Sequence, residues 1–329
     1  MEKADPFTFY MKNIYFIILP KTHPLDSLGP AQLFFEAKEN GADIQLHFVS
    51  STFDNDVESS LGLGFSKLTS YREFELFKED MIVIPGIEFS LLQDSNFKKE
   101  SQGFYDWLNN QYHNGTTLVS VCTGAFILGD AGLLKGKKAT THWKAFDEFE
   151  QKFPDTELLK NRLFVENERI YTSAGMLSGI DLCLYLVEKE YGIKFAIEVA
   201  KEVVMYFRRG ESDPQLSIFL QFRNHLETRI HDSQDFISKN LALSFTIEDI
   251  ADTVNMSARN LTRLFKKTTG ITIGDYHTKL RVEQSVHLLA EGYTMAYTAE
   301  HCGLKSTTQL RSLLKKYQDI ISTDVDNLN

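Results

Sequence analysis

The first part of the chain alternates short apolar, β-branched segments with stretches of helical periodicity, and this alternation limits the possible folds most. The apolar segments cover residues 13–19, 44–49, 81–84 and 117–121. Segments this apolar are typical of parallel strands that are buried on both faces. Between the first two lies the helical pattern of residues 30–41, with proline at its first position and glycine at its end. The alternation predicts an α/β fold with a doubly wound parallel sheet, whose ligands bind beyond the carboxyl ends of the strands.

The length of 329 residues predicts two domains, since single domains of soluble proteins usually hold about 100 to 200 residues. Helical sequence over residues 193–207 gives way to a charged stretch with glycine and proline at residues 208–214, which is typical of a linker. We therefore expect a first domain at residues 1–210, a linker at 211–224 and a second domain at 225–329.

The charge is unevenly distributed along the chain. The formal net charge is −10, and residues 1–220 hold 22 basic against 32 acidic side chains, whereas residues 221–329 hold 13 of each. Binding to the phosphates of DNA requires locally clustered lysine and arginine rather than a basic chain. The charge of the second domain therefore permits DNA binding without establishing it.

Several classes of protein are disfavoured by the sequence. No apolar run approaches the roughly 20 residues of a membrane helix, and the acidic start of the chain is unlike a signal peptide. The three cysteines, Cys122, Cys183 and Cys302, are too few and too far apart for a disulfide framework or a CxxC metal site. No phosphate loop, dinucleotide fingerprint or histidine ligand spacing occurs. We expect a cytoplasmic protein with no membrane contact, no metal site and no cofactor.

Residues 117–134 run from a strand through Cys122, Thr123 and Gly124 into a helix, which is the layout of a nucleophile elbow. A thiol on such a turn lies at a helix N-terminus, where oriented N–H groups favour the thiolate and are expected to lower its pKa. Alternatively, Cys122 is a small buried residue that fills a tight corner, which is common for a lone cysteine. The spacing alone favours this second interpretation. Cys183, within an apolar helical run, is predicted to lie in the core.

Three longer segments resemble a known family. They are residues 84–86, 121–143 and 171–181. They resemble the class I glutamine-amidotransferase-like superfamily, and most of all its GlxA-like branch, in which this domain is fused to an AraC-type DNA-binding domain. The resemblance implies a flavodoxin-like sheet, a homodimer and a small ligand pocket over Cys122. The residues expected at this pocket are Asp26, Gly86, Cys122, Thr123 and His142.

Residues 24–30 resemble the Leu-Asp-x-x-Gly-Pro segment of isocyanide hydratases in the same superfamily. In those enzymes the aspartate faces the cysteine, so the resemblance implies that Asp26 acts as acid or base beside Cys122. The N–H groups of Gly86 and Thr123 would then face a developing oxyanion. Alternatively, Asp26 is a loop carboxylate that caps the following helix. The amidotransferases and peptidases of the superfamily have histidine where this chain has Thr123, which argues against glutaminase or protease chemistry.

The last third of the chain contains a weak internal repeat. Residues 250–267 parallel residues 298–316 at an offset of about 48 residues. In each copy a small alanine, Ala251 or Ala299, allows two helices to cross closely. The second helix of each copy has apolar residues on one side and basic residues on the other. The repeat predicts an all-α second domain with two helix-turn-helix units.

The second helix of the first unit is predicted to enter the major groove of DNA. Ser257 is expected to cap this helix, and Thr246 with Asp249 the helix before it. The buried face is expected to hold Leu261, Leu264 and Phe265, and the side chains turned to solvent are Arg259, Asn260, Thr262, Arg263, Lys266 and Lys267. Arginine can hydrogen-bond guanine bidentately, and lysines near the far end suit phosphates. Taken alone, the pattern also fits an ordinary amphipathic surface helix.

Two such copies joined by the helical residues 275–290 are more specific, and residues 257–270 resemble the AraC family signature. The resemblance spans residues 225–318 and implies two recognition helices in successive major-groove faces of double-stranded DNA, about 34 Å apart. It places base contacts on Arg259, Thr262 and Arg263, and in the second unit on Thr307, Thr308 and Arg311. The second unit departs from the family at Ser312, at Leu314 and in its closing segment, so we expect it to read DNA more weakly.

Together these features predict a sequence-specific DNA-binding transcription regulator whose first domain senses a small molecule. Its expected partners are double-stranded DNA, an unidentified effector and a second copy of the chain. An alternative from another class is a cysteine-dependent hydratase or amidase that uses Cys122 and Asp26 and is tethered to a DNA-binding domain. A third is a redox sensor, since exposed thiolates of low pKa oxidise readily. We expect the regulator, without enzyme activity, because it accounts for both domains and an elbow can persist as a binding site.

Overall fold

The computed structural model describes residues 12–160, 162–205, 218, 222–223, 225–290 and 292–317. The chain divides into two units, Met1–Asp213 and Pro214–Asn329. The charged stretch at 208–214 lies outside the described residues, and so does the predicted linker at 211–224, apart from three of its positions. None of the described helices is long and apolar enough to cross a membrane.

The described part of the first unit is built on a central sheet. Its strands are β1 (Asn13–Ile18), β2 (Gln45–Ser50), β3 (Val57–Glu58), β4 (Gly64–Phe65), β5 (Thr69–Ser70), β6 (Met81–Ile84), β7 (Thr117–Val121), β8 (Lys138–Ala139), β9 (Glu157–Leu158), β10 (Phe164–Asn167) and β11 (Ile170–Ser173). Seven of them form one sheet in the order β10-β11-β7-β6-β1-β2-β5, and the others form the pairs β3-β4 and β8-β9. Only β10 of the large sheet is antiparallel to its neighbour.

The four predicted strands are β1, β2, β6 and β7, and each was placed within one residue of its observed bounds. Strands β6 and β7 are buried along their whole length, as their unbroken apolar sequences indicate. From β1 the chain winds to one side through β2 and to the other through β6 and β7, so the carboxyl ends of β1 and β6 flank a switch point. The α/β prediction with a parallel sheet is confirmed.

Helices cover both faces of this sheet. They are α1 (Pro24–Glu39), α2 (Phe89–Gln93), α3 (Ser95–Glu100), α4 (Gln102–His113), α5 (Gly124–Asp130), α6 (Phe146–Lys152), α7 (Leu177–Tyr191) and α8 (Ile193–Glu202), with 3-10 turns at Tyr71–Glu73 and Trp143–Ala145. Side chains alternate along β1, so that Phe16 packs with Phe34 of α1 and Leu182 of α7. On the other face, Ile17 belongs to the cluster that contains Phe126 of α5. Two apolar layers therefore enclose the sheet.

The observed start of α1 differs from the predicted one. The helix begins at Pro24 rather than at Pro30, which lies inside it. A proline within a helix has no N–H to donate to the carbonyl four residues earlier, here that of Asp26. The rule that proline favours the first helical turn holds, but it applies to Pro24. Asp26 consequently lies in the first turn of the helix and not in a loop before it.

The described part of the second unit is helical. Its helices are α9 (Thr228–Lys239), α10 (Ile247–Thr253), α11 (Ala258–Thr269), α12 (Ile273–Ala290), α13 (Met295–His301) and α14 (Thr307–Lys316). One apolar cluster includes Phe265 of α11 and Tyr276 of α12. A second cluster includes Val282 of α12, Ala299 of α13 and Leu310 of α14. Helix α12 therefore contributes to both cores and connects two small helical subdomains, as the repeat predicts.

Gly124, the first residue of α5, offers a test of how closely this helix packs under β6. A Cβ at this position would lie 2.4 Å from the carbonyl oxygen of Ile84 and 2.9 Å from that of Pro85. Because backbone atoms cannot move aside cheaply, we expect Gly124→Ala to lower the free energy of unfolding of the first unit by about 2–3 kcal/mol. Urea unfolding followed by tryptophan fluorescence measures this, since both tryptophans, Trp107 and Trp143, lie in that unit.

The matched control is Gly64→Ala, because a Cβ on Gly64 meets nothing within 4 Å. This variant should stay within about 0.5 kcal/mol of the parent protein. Equal urea midpoints for the two variants would contradict the packing described for Gly124.

Candidate DNA interface and sensor pocket

Cys122 occupies a sharp turn between β7 and α5. Its φ of 59° lies in the left-handed region, which costs a residue with a side chain about 1–2 kcal/mol. Its backbone N–H donates to the carbonyl of Ser173 at 3.0 Å, and its carbonyl accepts from the hydroxyl of Thr141 at 3.0 Å. These bonds hold the turn in place, and the backbone has the form of a nucleophile elbow.

Two glycines let the backbone approach the thiol of Cys122. A Cβ on Gly86 would lie 2.7 Å from Oδ2 of Asp26, 2.8 Å from Oγ1 of Thr123 and 3.0 Å from Cβ of Cys122. Gly175 has a φ of 130°, and a Cβ there would lie 3.1 Å from Sγ of Cys122. The thiol is therefore enclosed, and the residue is only 5% exposed.

The carboxylate of Asp26 is fully buried beside this turn. Its Oδ1 accepts the backbone N–H of Met176 at 2.8 Å, and its Oδ2 accepts that of Gly86 at 3.3 Å. It also hydrogen-bonds the side chain of Cys122. The folded chain thus brings Asp26, Gly86 and Cys122 together from distant parts of the sequence. The Gly86 N–H, predicted to face an oxyanion, already has the Asp26 carboxylate as its acceptor.

The pKa of Cys122 differs from the sequence-based prediction. Burial, followed by the adjacent Asp26 carboxylate, raises the pKa of this thiol well above its ordinary value, although hydrogen bonds from Thr123 oppose the change. Burial also raises the pKa of Asp26, against the opposing effects of the Met176 N–H and the charge of His23. The lowering that a helix N-terminus would cause is not found, whereas the alternative of a small buried Cys122 agrees with the structure. Desolvation dominates, and the thiol is protonated at neutral pH.

Two further predicted pocket residues have local structural contacts. The hydroxyl of Thr123 donates to the carbonyl of Ile87 and accepts its N–H, both at 3.1 Å. His142 precedes the turn Trp143–Ala145, and its Nδ1 accepts the N–H of Lys144 at 3.4 Å. Burial, together with the charges of Lys144 and His23, lowers the pKa of His142. His142 is therefore a neutral imidazole at pH 7.

Sequence reasoning did not single out His23 or Met176. His23 immediately precedes α1, and its Nδ1 lies 3.0 Å from the hydroxyl of Ser60. Met176 has an unfavourable φ of 38°, which accompanies the hydrogen bond from its N–H to Asp26. Both residues belong to or adjoin segments that carry the family resemblance. His23 lies three residues before Asp26 at the start of α1, whereas Met176 comes near Asp26 only through the packing of the sheet, which has no local sequence signal.

In the second unit, the helices of the first repeat begin at the predicted caps. Thr246 and Asp249 form a reciprocal capping box at α10. The hydroxyl of Ser257 accepts the N–H of Asn260 at the start of α11. Helix α11 ends at Gly270, whose φ of 81° satisfies the left-handed cap. We call α11, Ala258–Thr269, the first recognition helix.

The first recognition helix has one buried and one exposed face. Leu261 and Phe265 are fully buried, and Leu264 is partly buried against the same cluster. On the opposite face, Thr262 is half-buried, and the exposed side chains are Arg259, Asn260, Arg263, Lys266 and Lys267. Within the described part of the chain, none of these four cations has an ion-pair partner. They remain available to phosphates and base edges.

A shallow cleft of about 630 Å³ runs between α10 and the first recognition helix. It is lined by Ile247, Glu248, Ala258, Arg259, Thr262, Arg263, Lys266 and Lys267. The arginine and lysine side chains of the helix therefore line one wall of this cleft.

The second repeat has the same construction. Thr294 caps α13, and Ser306 caps α14 by accepting the N–H of Gln309 at 3.2 Å. We call α14, Thr307–Lys316, the second recognition helix. Its buried residues are Leu310 and Leu314. Among the predicted base contacts, Thr308 and Arg311 are exposed and Thr307 is half-buried, whereas the closing segment at 318–323 lies outside the described residues.

Comparison with known proteins relates the two units to two kinds of domain. The model of the DJ-1/PfpI family matches residues 12–189, and a helix-turn-helix domain model matches residues 250–320. The HTH-type transcriptional regulator CdhR of Pseudomonas aeruginosa is 24% identical over 297 residues, which cover 90% of this chain and 85% of CdhR. An isonitrile hydratase of Pseudomonas putida is 30% identical over 188 residues, which cover 56% of this chain and 74% of the hydratase.

Among solved structures, the fold is shared with an AraC family transcriptional regulator from Pseudomonas putida. The match has a TM-score of 0.50 and 22% identity, and it covers 58% of this chain and 99% of the regulator's structure.

The effect of the Asp26 charge on the pKa of Cys122 can be tested by substitution. Asp26→Asn removes a negative charge next to Cys122, so we expect the pKa of the thiol to fall and alkylation to begin at a lower pH. Peptide-resolved mass spectrometry after iodoacetamide treatment across a pH series measures the reaction of Cys122 separately from the buried Cys183 and Cys302.

The control is Asp54→Asn, which makes the same charge change at an exposed position. It should leave the alkylation profile of Cys122 unchanged. An identical profile in Asp26→Asn would show that the Asp26 charge does not govern this thiol.

Proposed function

The chain belongs to the DJ-1/PfpI family and adds to that domain a C-terminal helix-turn-helix domain of the AraC type, and on this premise we propose that it is a sequence-specific DNA-binding transcription regulator. The observation that carries the proposal is the pair of capped recognition helices, each with a buried apolar face and exposed basic side chains. The similarity to the regulator CdhR over most of both chains supports it. The first domain would sense a small molecule.

Double-stranded DNA is the proposed partner of the second domain. Arg259 and Arg263 lie one turn apart on the exposed face of the first recognition helix, which is the spacing needed to reach neighbouring base edges. Lys266 and Lys267 follow near the C-terminal end, where phosphate contacts position the helix. Asn260 and Thr262 complete this surface.

The second recognition helix is proposed to occupy the next major-groove face through Thr307, Thr308 and Arg311. Helix α12 has 18 residues and therefore spans about 27 Å, comparable with the roughly 34 Å between successive groove faces. A homodimer would present two such pairs. The protein would act in the cytoplasm.

The pocket around Cys122 is the proposed effector site. Asp26, Gly86, Cys122 and Thr123 enclose it, with the neutral His142 nearby. A protonated thiol in an enclosed site is suited to binding a ligand through shape and a hydrogen bond.

We expect Arg263→Ala to weaken binding to the preferred DNA sequence by about 10- to 100-fold, because a bidentate contact to a base contributes about 1–3 kcal/mol. Selection from random DNA followed by gel shifts over a salt series measures the motif and its affinity. The motif should lose its preference at one base position in the variant.

Arg229→Ala is the matched control, since it removes an arginine from α9 that pairs with Glu227 at 2.9 Å. Its effect on DNA affinity should be less than twofold. Unchanged affinity and preference in Arg263→Ala would contradict the assignment of the first recognition helix.

A cysteine-dependent hydratase is the second candidate function, favoured by the hydrogen bond between Asp26 and Cys122 and by the similarity to an isonitrile hydratase. In such a reaction the sulfur of Cys122 bonds to the isonitrile carbon while the thiol proton, passed through Asp26, reaches that carbon. The result is a thioimidate. Water then adds to this carbon and displaces the thiol, which leaves an N-formamide and restores Cys122.

If the chain is a regulator without turnover, incubation with an alkyl isonitrile should give no formamide above the level of Cys122→Ser, as measured by NMR. Asp26→Asn should likewise match the parent protein. Formamide production that requires both Cys122 and Asp26 would establish the hydratase instead.

A further inference from the structure

A concave site lies on the first unit, apart from the residues around Cys122. It has a volume of about 230 Å³ and is lined by Phe89, Leu92, Gln93, Lys98, Phe126, Glu148, Gln151 and Lys152. None of the residues predicted for the Cys122 pocket contributes to this lining. The cleft lies among α2, α3, α5 and α6, and apolar side chains form one part of its wall while two lysines form another.

Lys152 is fixed in this cleft by its neighbours. Its ammonium group lies 2.6 Å from the carboxylate of Asp130, and the two side chains are only 27% and 12% exposed. The same nitrogen lies 5.0 Å from the ring centroid of Phe153 and 5.8 Å from that of Phe126. The position of this cation is therefore set by a carboxylate and two aromatic faces.

Lys98 approaches the same point from α3. Both lysines line the cleft, and the charge of Lys98 acts on Lys152. Among the residues that the structure describes, Lys98 has no ion-pair partner, and the exposed Glu148 at the rim pairs with neither lysine. Of the two lysines that line the cleft, Lys152 alone has a paired carboxylate among the described residues, that of Asp130.

Lys98 therefore lies unpaired in the cleft among the described residues, with the exposed Glu148 carboxylate at the rim. Like charges repel, and the repulsion is stronger away from bulk water. Burial and the neighbouring Lys98 accordingly lower the pKa of Lys152, against the effect of Asp130. An anion between the two ammonium groups would convert the repulsion into two charge-assisted hydrogen bonds.

We infer that this cleft binds a small organic carboxylate, held between the Lys98 and Lys152 ammonium groups with its apolar body against Phe89, Leu92 and Phe126. The aromatic and aliphatic wall favours an organic acid over inorganic phosphate, because it offers an apolar body a surface that phosphate cannot use. The volume is below the roughly 300 Å³ at which drug-sized pockets begin, so the ligand is compact, with a single ring or a short chain. The inference does not depend on DNA binding or on the chemistry of Cys122.

Calorimetric titration of the full chain without DNA tests this inference, with benzoate as the probe and benzamide as its uncharged analogue. Benzoate should bind with one-to-one stoichiometry, and benzamide at least tenfold more weakly. Inorganic phosphate should also bind more weakly than benzoate, since it has no apolar body.

Lys98→Gln should weaken benzoate binding at least tenfold without changing the thermal unfolding of the first unit, because Lys98 has no ion-pair partner among the described residues. Lys99→Gln is the matched control, with the same charge change at the next, exposed position of α3, and it should change the affinity less than twofold. Absence of benzoate binding, equal affinity for benzamide, or equal affinity in the two lysine variants would overturn the inference. Phosphate binding as tight as that of benzoate would overturn the role of the apolar wall.

Discussion

The buried carboxylate of Asp26 is the contact on which the geometry of the Cys122 pocket depends. Through it, the first turn of α1 is bonded to the loop after β6 at Gly86 and to the loop after β11 at Met176. It also contacts the thiol that follows β7. Removing a carboxylate from water is costly unless hydrogen bonds replace the lost hydration, and two backbone N–H groups do so here. The left-handed backbone of Cys122 and the unfavourable φ of Met176 persist because the surrounding packing and these bonds hold both residues in place.

Much of the architecture could be predicted from the sequence because its signals are local. The unbroken apolar runs of β6 and β7 mark buried parallel strands, and the caps at Thr246 and Ser257 mark the starts of α10 and α11. The start of α1 was misplaced because two prolines each satisfied the same local rule, and only packing distinguishes Pro24 from Pro30. The direction of the pKa change at Cys122 was wrong for a related reason. The elbow motif indicates only that the thiol lies at a helix N-terminus. The dominant effect on its pKa is burial by residues that are distant in sequence.

In the helical unit, the pattern of apolar residues within each helix largely decides which side chains form the candidate DNA interface. In the first recognition helix, Leu261 and Phe265 occupy the buried face, and this alone turns Arg259 and Arg263 toward solvent. Helix α12 supplies Tyr276 to one core and Val282 to the other, so each recognition helix has its own apolar support on a common helix. A substitution on the exposed face of one recognition helix should therefore leave the other helix folded.

The same Asp26 charge that organises the pocket opposes ionisation of Cys122. Each pKa unit by which the thiol is raised corresponds to about 1.36 kcal/mol that a reaction through the thiolate must recover. An enzyme could recover it only if the substrate itself received the thiol proton as the carbon–sulfur bond formed. A binding site has no such requirement, since a protonated thiol can donate a hydrogen bond and pack against a ligand without changing its charge. Burial beside Asp26 therefore opposes formation of the thiolate, the form through which covalent attack and oxidation both proceed.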